Sequence, residues 1–147
     1  MSTPKQSINI MLVDDDEGHL VLIRENLRAA GIVNDIIALQ DGQQVLDYLF
    51  RRSAYRDEAK FPRPGLILLD IKMPKCDGYM VLEKVKADPA LRTIPILMLT
   101  STDDQTEVNR CYALGANNYI VKPIQYEQFQ ERIKALGLFL DIVRLPD

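Results

Sequence analysis

The chain is poor in cysteine and has no long apolar run. Its two cysteines, Cys76 and Cys111, stand far apart without metal-ligand spacing, so neither a disulfide framework nor a zinc site is expected, and both thiols are read as reduced. No segment approaches the length of a membrane span, and Met1 to Ser7 is short and polar rather than an apolar leader; the expected location is the cytoplasm. Basic charge is not in excess. Eighteen Lys and Arg stand against 21 Asp and Glu, a net charge of -3, and no stripe of Lys and Arg offers the footprint that direct nucleic-acid binding needs. The one histidine, His19, has no Cys or second His beside it and reads as a surface residue of a first helix. Internal repeats and low-complexity tracts are missing too.

What remains is a chain of 147 residues, 47% of them hydrophobic, enough for one domain with a real core and too short for two of ordinary size. Apolar runs alternate with helical periodicity. Ile8 to Val13 reads as a strand ending in three aspartates, and Leu20, Ile23, Leu27 and Ala30 mark a helix stopped by Gly31. Asp35 to Leu39 is a second strand, Asp41-Gly42 a turn, and Val45, Leu46, Leu49 and Phe50 the inner side of a second helix. After a polar stretch from Ser53 to Gly65 comes Leu66 to Leu69, an unbroken apolar strand with Asp70 at its end. A turn with Pro74, Asp77 and Gly78 leads to a helix with Val81, Leu82 and Val85 inward. Pro95 precedes the strand Ile96 to Leu99, ending at Thr100 and Ser101; Val108, Cys111 and Tyr112 mark a fourth helix closed by Gly115; Tyr119 to Val121 is a fifth strand ending at Lys122; and Phe129, Ile133, Leu136 and Leu140 line a last helix. Five strands alternating with five helices imply right-handed crossovers and a parallel, doubly wound α/β sheet.

Such sheets bind ligands at the carboxyl ends of their strands, which here carry Asp14, Asp15, Asp70, Thr100, Ser101 and Lys122. Crowded carboxylates raise one another's pKa unless a cation neutralises them, and hard oxygen donors with an open face suit Mg2+. Asp70 could then attack a phosphoryl donor in line, with Mg2+ and Lys122 neutralising the equatorial oxygens. Thr100 could donate to the arriving phosphoryl group and draw its loop inward, leaving space for Tyr119 to rotate.

Leu-Val-Asp-Asp at 12 to 15, Leu-Leu-Asp-Ile-Lys-Met-Pro-Lys-Cys-Asp-Gly at 68 to 78, Leu-Thr-Ser at 99 to 101 and Tyr-Ile-Val-Lys-Pro at 119 to 123 together resemble the receiver domains of two-component response regulators. The resemblance runs over nearly the whole chain. It implies a flavodoxin-like sheet of order 2-1-3-4-5, a single receiver domain over 1–147 with 134–147 as a helical extension and tail, and phosphorylation of Asp70. It makes Asp15 a direct metal ligand, Asp14 a direct or water-mediated one, and the Lys72 backbone carbonyl part of the metal shell. Thr100, Lys122 and Tyr119 take the switch roles, the Lys122-Pro123 bond is cis, and the donor is a phosphohistidine on a sensor histidine kinase. The segment 53–64 and the ending 139–146 further resemble small response regulators paired with bacterial phytochromes, which dimerise through their last strand and helix. Leu138, Phe139, Ile142 and Val143 would supply an apolar patch for such a homodimer. The downstream partner would be another protein, since no output domain is attached. Lys72 departs from the family's more usual Asn, and its ammonium is expected to alter how fast water removes the phosphoryl group.

Plainer readings stand beside these. Asp16 is expected to cap the first helix, and one of Thr100 and Ser101 to cap the fourth. Tyr119 could be simple packing, Lys122 a solvated loop lysine, and Cys76 is given no role. A haloacid-dehalogenase-type phosphatase would need an aspartate where Lys72 stands, so only phosphoryl uptake and slow self-dephosphorylation are expected, not turnover of external substrates. A receiver-like dimerisation module that takes no phosphate is the other alternative.

Overall fold

A computed structural model describes residues 8–101 and 104–135. Its elements run β1 (Ile10–Val13), α1 (Glu17–Ala29), β2 (Ile36–Leu39), α2 (Gly42–Leu49), a 3-10 turn (Ser53–Tyr55), β3 (Leu66–Asp70), α3 (Gly78–Ala87), β4 (Ile96–Thr100), α4 (Gln105–Ala113), β5 (Asn118–Val121) and α5 (Tyr126–Ala135). The five strands form one parallel sheet in the order β2-β1-β3-β4-β5, the doubly wound order expected. The Ile133 side chain and residues 136–147 lie outside the described residues, and with them the apolar patch of Leu138, Phe139, Ile142 and Val143. No described helix is long and apolar enough to cross a membrane.

Successive strand residues face opposite sides of a sheet, and both sides here are covered. Ile10, Leu12, Leu66, Leu68, Leu97, Leu99 and Ile120 pack with Leu20, Ile23 and Leu27 of α1 and Phe129 of α5. Met11, Val13, Ile67, Leu69, Ile96 and Met98 pack with α2 and α3 through Val45, Leu49, Val81, Leu82 and Val85. β1, β3 and β4 are buried along their whole length, which explains why they read as unbroken apolar runs rather than alternating ones.

Side-chain caps place the helix starts. Asp16 caps α1 as expected, Asp77 caps α3, and Asp104 caps α4 by accepting from the amides of Thr106 and Glu107. The α4 cap is therefore neither Thr100, which ends β4, nor Ser101, which follows it: both lie too far back along the chain to take the cap position that Asp104 holds. Asp41 and Gly42 likewise do not form a free turn; Asp41 accepts from Gln44 N–H at 2.8 Å as the cap of α2, whose first residue is Gly42. Tyr112 turns outward from α4, 44% exposed, with its hydroxyl donating to Asn118 Oδ1 at 3.0 Å. The polar stretch after α2 is fastened by an aromatic trio, Tyr48, Tyr55 and Phe61, with ring centroids 5.0–5.8 Å apart. The Tyr48 hydroxyl also donates to the Pro62 carbonyl at 2.7 Å. Both cysteines are buried, and burial pushes both thiols up from their ordinary pKa, away from reactive thiolate.

Two glycines fix the loop between β3 and α3. A Cβ on Gly78 would fall 2.2 Å from the Asp70 carbonyl oxygen, and one on Gly42 would fall 1.9 Å from the Cys76 carbonyl oxygen. The first turns of α2 and α3 thus close on this loop from two sides. Gly42→Ala sets a helix-propensity gain of about 1 kcal/mol against overlap with a backbone that cannot rotate away. The overlap is expected to win by about 1–3 kcal/mol net, read as a lower urea midpoint than wild type; an unchanged or higher midpoint would show that the loop yields.

Candidate functional site at the carboxyl edge of the sheet

Strand register brings the predicted residues together. Val13 pairs with Leu69, so Asp14 and Asp70 leave adjacent strands at the same level; Thr100 pairs with Val121, so Lys122 follows one step beyond. Asp14, Asp70 and Lys122 each follow by two a residue of the same core layer, Leu12, Leu68 and Ile120. That common parity points all three toward the α1 and α5 side of the sheet. The Lys122 amide donates to the Thr100 carbonyl at 2.8 Å, which ties the lysine to the end of β4, and the Lys122-Pro123 peptide is cis.

The Lys122 ammonium lies 2.7 Å from Asp14 Oδ2 and 3.2 Å from Asp70 Oδ1. Asp14 is fully buried; its other oxygen accepts from the Asp16 amide at 2.9 Å. Asp70 Oδ1 also accepts from the Ile71 amide at 3.0 Å. Asp15 is exposed at the rim. One carboxylate oxygen from each of Asp14, Asp15 and Asp70 can be chosen so that all lie within 4.8 Å of one another. An open cleft of about 580 Å³ lies over them, lined by Asp15, Asp16, His19, Asp70, Lys72, Thr100, Ser101, Glu107 and Lys122, among others.

Electrostatics show the strain of this crowding. Burial first, and then the charge of Asp14, push the Asp70 carboxyl up from its ordinary pKa; Lys122 and the Ile71 amide offset this only in part. Burial works to lower the Lys122 ammonium, but its hydrogen bond to Asp14 and the charges of Asp70 and Asp14 outweigh it, and the net shift is upward. A donor set of three carboxylates with only one ammonium among them, and one of them exposed, fits a hard divalent cation.

Tyr119 does not line the cleft. It is half-buried on β5, its ring 6.1 Å from that of Tyr112 and its face 4.8 Å from the Arg132 guanidinium. Thr100 is buried beside the cleft and Lys72 exposed on its lip. Two lining residues escaped sequence reasoning. His19 is half-exposed, as expected of a surface residue, yet its ring reaches Asp14 at 3.4 Å. Its position three residues after the Asp16 cap was the available signal, because the third helical residue stands over the cap. Glu107 stands likewise three residues after its cap, Asp104, a signal hidden by the expectation that Thr100 or Ser101 caps α4.

This sheet and rim define a receiver domain, and the chain belongs to that family: the Response regulator receiver domain matches residues 10–134. Among relatives, Response regulator Rcp1 of Synechocystis sp. is 33% identical over 138 residues, covering 93% of this chain and 92% of that protein. The bacteriophytochrome response regulator RtBRR superposes with a TM-score of 0.84 at 39% identity, covering 97% of this chain and 85% of that one. The phosphorylated cyanobacterial phytochrome response regulator RcpA gives a TM-score of 0.76 at 31% identity, covering 97% and 100%. A structure of Rcp1 has been solved in a Mn2+-bound form, with a TM-score of 0.73 at 32% identity, covering 95% of this chain and 99% of that one.

The direction of the Asp70 shift sets a pH dependence. A raised folded-state pKa means that the folded chain holds this proton more tightly than the unfolded chain. The group therefore contributes stability at low pH, lost as pH climbs from the ordinary carboxylate range through the raised value. Without divalent ions, Asp70→Asn is expected to raise the urea midpoint at neutral pH, with the gain shrinking as pH falls through the carboxylate range. A gain that grows toward low pH, or none at pH 7, would contradict the shift.

Proposed function

We propose that this response regulator accepts a phosphoryl group on Asp70 from a phosphohistidine of a sensor histidine kinase, and that the kinase is a bacterial phytochrome. The observation that carries the reading is the Lys122 ammonium bridging Asp14 and Asp70, with Asp15 close enough to complete a carboxylate triad. Its likeness to RtBRR and RcpA supports the phytochrome pairing.

In this reading Asp14, Asp15, Asp70 and the Lys72 backbone carbonyl hold Mg2+, which when bound neutralises charge on the transferring group. An Asp70 carboxylate oxygen forms the new P–O bond as the P–N bond to the donor imidazole breaks. Lys122 stabilises the phosphoryl oxygens, and Thr100 donates a hydroxyl to them at the end of β4. Tyr119, on the neighbouring strand β5 two residues before the Val121 that pairs with Thr100, responds to the Thr100 shift, so that the change reaches the β5 and α4 surface. No external substrate is turned over; water removes the group slowly. The output is an altered set of protein contacts, including those with a second copy of the chain along edge strand β5 and α5.

Acetyl phosphate or beryllofluoride with Mg2+, followed by intact mass and sedimentation, tests the reading. Wild type is expected to gain one phosphoryl group from acetyl phosphate, Asp70→Ala none, and beryllofluoride to change the sedimenting size. A wild-type mass that never changes would leave only a dimerisation module that takes no phosphate. In the same assay Lys72→Asn is expected to change the phosphoryl half-life, because a cation at the cleft's lip alters the charge that attacking water meets; equal half-lives remove Lys72 from the account.

A further inference from the structure

Lys122 has three ammonium hydrogens. Asp14 Oδ2 stands at 2.7 Å and Asp70 Oδ1 at 3.2 Å, and a further polar atom, His19 Nδ1, stands at 3.5 Å. The same ring nitrogen is 3.4 Å from Asp14 Oδ2, while Nε2 is 3.7 Å from Asp16 Oδ2. The ring is placed by its backbone, since the His19 amide donates to the capping carboxylate of Asp16 at 3.2 Å. His19, Lys122 and Ser101 also line a neighbouring apolar hollow with Leu22, Ile23, Pro123 and Ile124. The imidazole is thus a wall between the polar cleft and an apolar cavity, with the ammonium at its edge.

We propose that His19 is a positioning residue for Lys122, holding the ammonium at the mouth of the cleft while the carboxylates that otherwise hold it are taken up by other partners. The inference rests on the reading of Asp70 as the phosphoryl acceptor. A divalent ion in the triad competes with Lys122 for Asp14, and a phosphoryl group on Asp70 removes a carboxylate oxygen from the pair. Both changes loosen the lysine at the moment it must face phosphoryl oxygens. An imidazole nitrogen is a poor ligand for a hard cation that prefers oxygen, so with Nδ1 as the acceptor it stays with the lysine when the carboxylates do not. A purely structural role explains less, because the ring is half-exposed and its contact with Asp16 is a surface pair of small worth.

Wild type, His19→Leu and His19→Asn are compared at one pH for initial rates of phosphoryl gain, over a range of acetyl phosphate and of Mg2+ concentrations. Leu fills the space without a polar atom; the Asn amide reaches the position of Nδ1. His19→Leu is expected to lower the maximal rate about tenfold, with half-saturating acetyl phosphate and Mg2+ within about twofold of wild type. His19→Asn is expected to recover most of that rate. Thermal midpoints establish that the variants are folded, and His19→Ala replaces Leu if Leu lowers its midpoint. Equal maximal rates for wild type and Leu overturn the proposal, as does a loss that Asn fails to restore. A changed Mg2+ half-saturation at constant maximal rate also overturns it, assigning the ring to Asp14 instead. If wild type itself gains no phosphoryl group, the reading of Asp70 falls and the role of His19 falls with it; if wild type is modified and the variants match it, only the role of His19 falls.

Discussion

The Asp14 carboxylate is fully buried at the end of a strand, and a charge in that place persists only if another charge meets it. Lys122 meets it from 108 residues away along the chain, reaching across β3 and β4 because β1 sits next to β3 and β5 next to β4 in the sheet. Buried ion pairs add little net stability over apolar residues of similar size, whereas removal of one partner costs about 3–5 kcal/mol. A pair of this kind makes little sense as a device for stability alone. It makes sense as a latch: the same ammonium touches Asp70, so anything that draws on either carboxylate also moves the lysine.

The latch needs a rigid seat. Asp70 ends a strand buried along its whole length, and the loop beyond it is gripped on both sides by helix starts. Gly78 donates its amide to the Ile71 carbonyl at 2.7 Å, and Gly42 presses on the Cys76 backbone. Each contact is backbone against backbone, which leaves no side chain to relax. The outer rim is built differently. Asp15, Lys72 and Ser101 are exposed, free to meet a donor or solvent. Fixed groups below and adjustable ones above suit a site that must hold one geometry and admit a second protein.

Much of this was legible in the sequence, for physical reasons. Strands covered on both faces leave continuous apolar runs, so β1, β3 and β4 announced themselves, and so did the polar residues where each run stopped. Parallel order then placed Asp14, Asp70, Thr100 and Lys122 on one edge without further information. What stayed hidden depended on direction rather than identity. Asp41-Gly42 reads as a turn until Asp41 is seen to accept from Gln44, and Thr100-Ser101 reads as a cap until Asp104 fills that place. Tyr112 marks the fourth helix together with Val108 and Cys111, but of these three only Val108 and Cys111 are buried in α4, a narrower stripe than the apolar spacing suggests. His19 was hidden because a half-exposed helix residue carries no periodic mark; only the tilt of the first turn over the cap brings it to the cleft.

Charge counting explains why the rim is poised rather than settled. The three carboxylates of the triad share one ammonium, Lys122, and the excess of that cluster is negative by two. A divalent cation removes that excess, which is why the donor set fits one; left in place, the excess adds to the burial that already makes Asp70 resist ionisation. An acyl phosphate in place of the Asp70 carboxylate carries more negative charge than the group it replaces, by up to about one unit near neutral pH, so the balance tips back. In the proposed switch the groups that lean inward are those around the cleft with hydrogens to give: Thr100 on β4, Lys72 on the lip, and Lys122 with His19 beside it. Thr100 ends β4 and leads to α4, Lys72 leads to α3, and Lys122 follows β5 and leads to α5, so in the proposed switch a charge change at one atom is delivered to three helices at once.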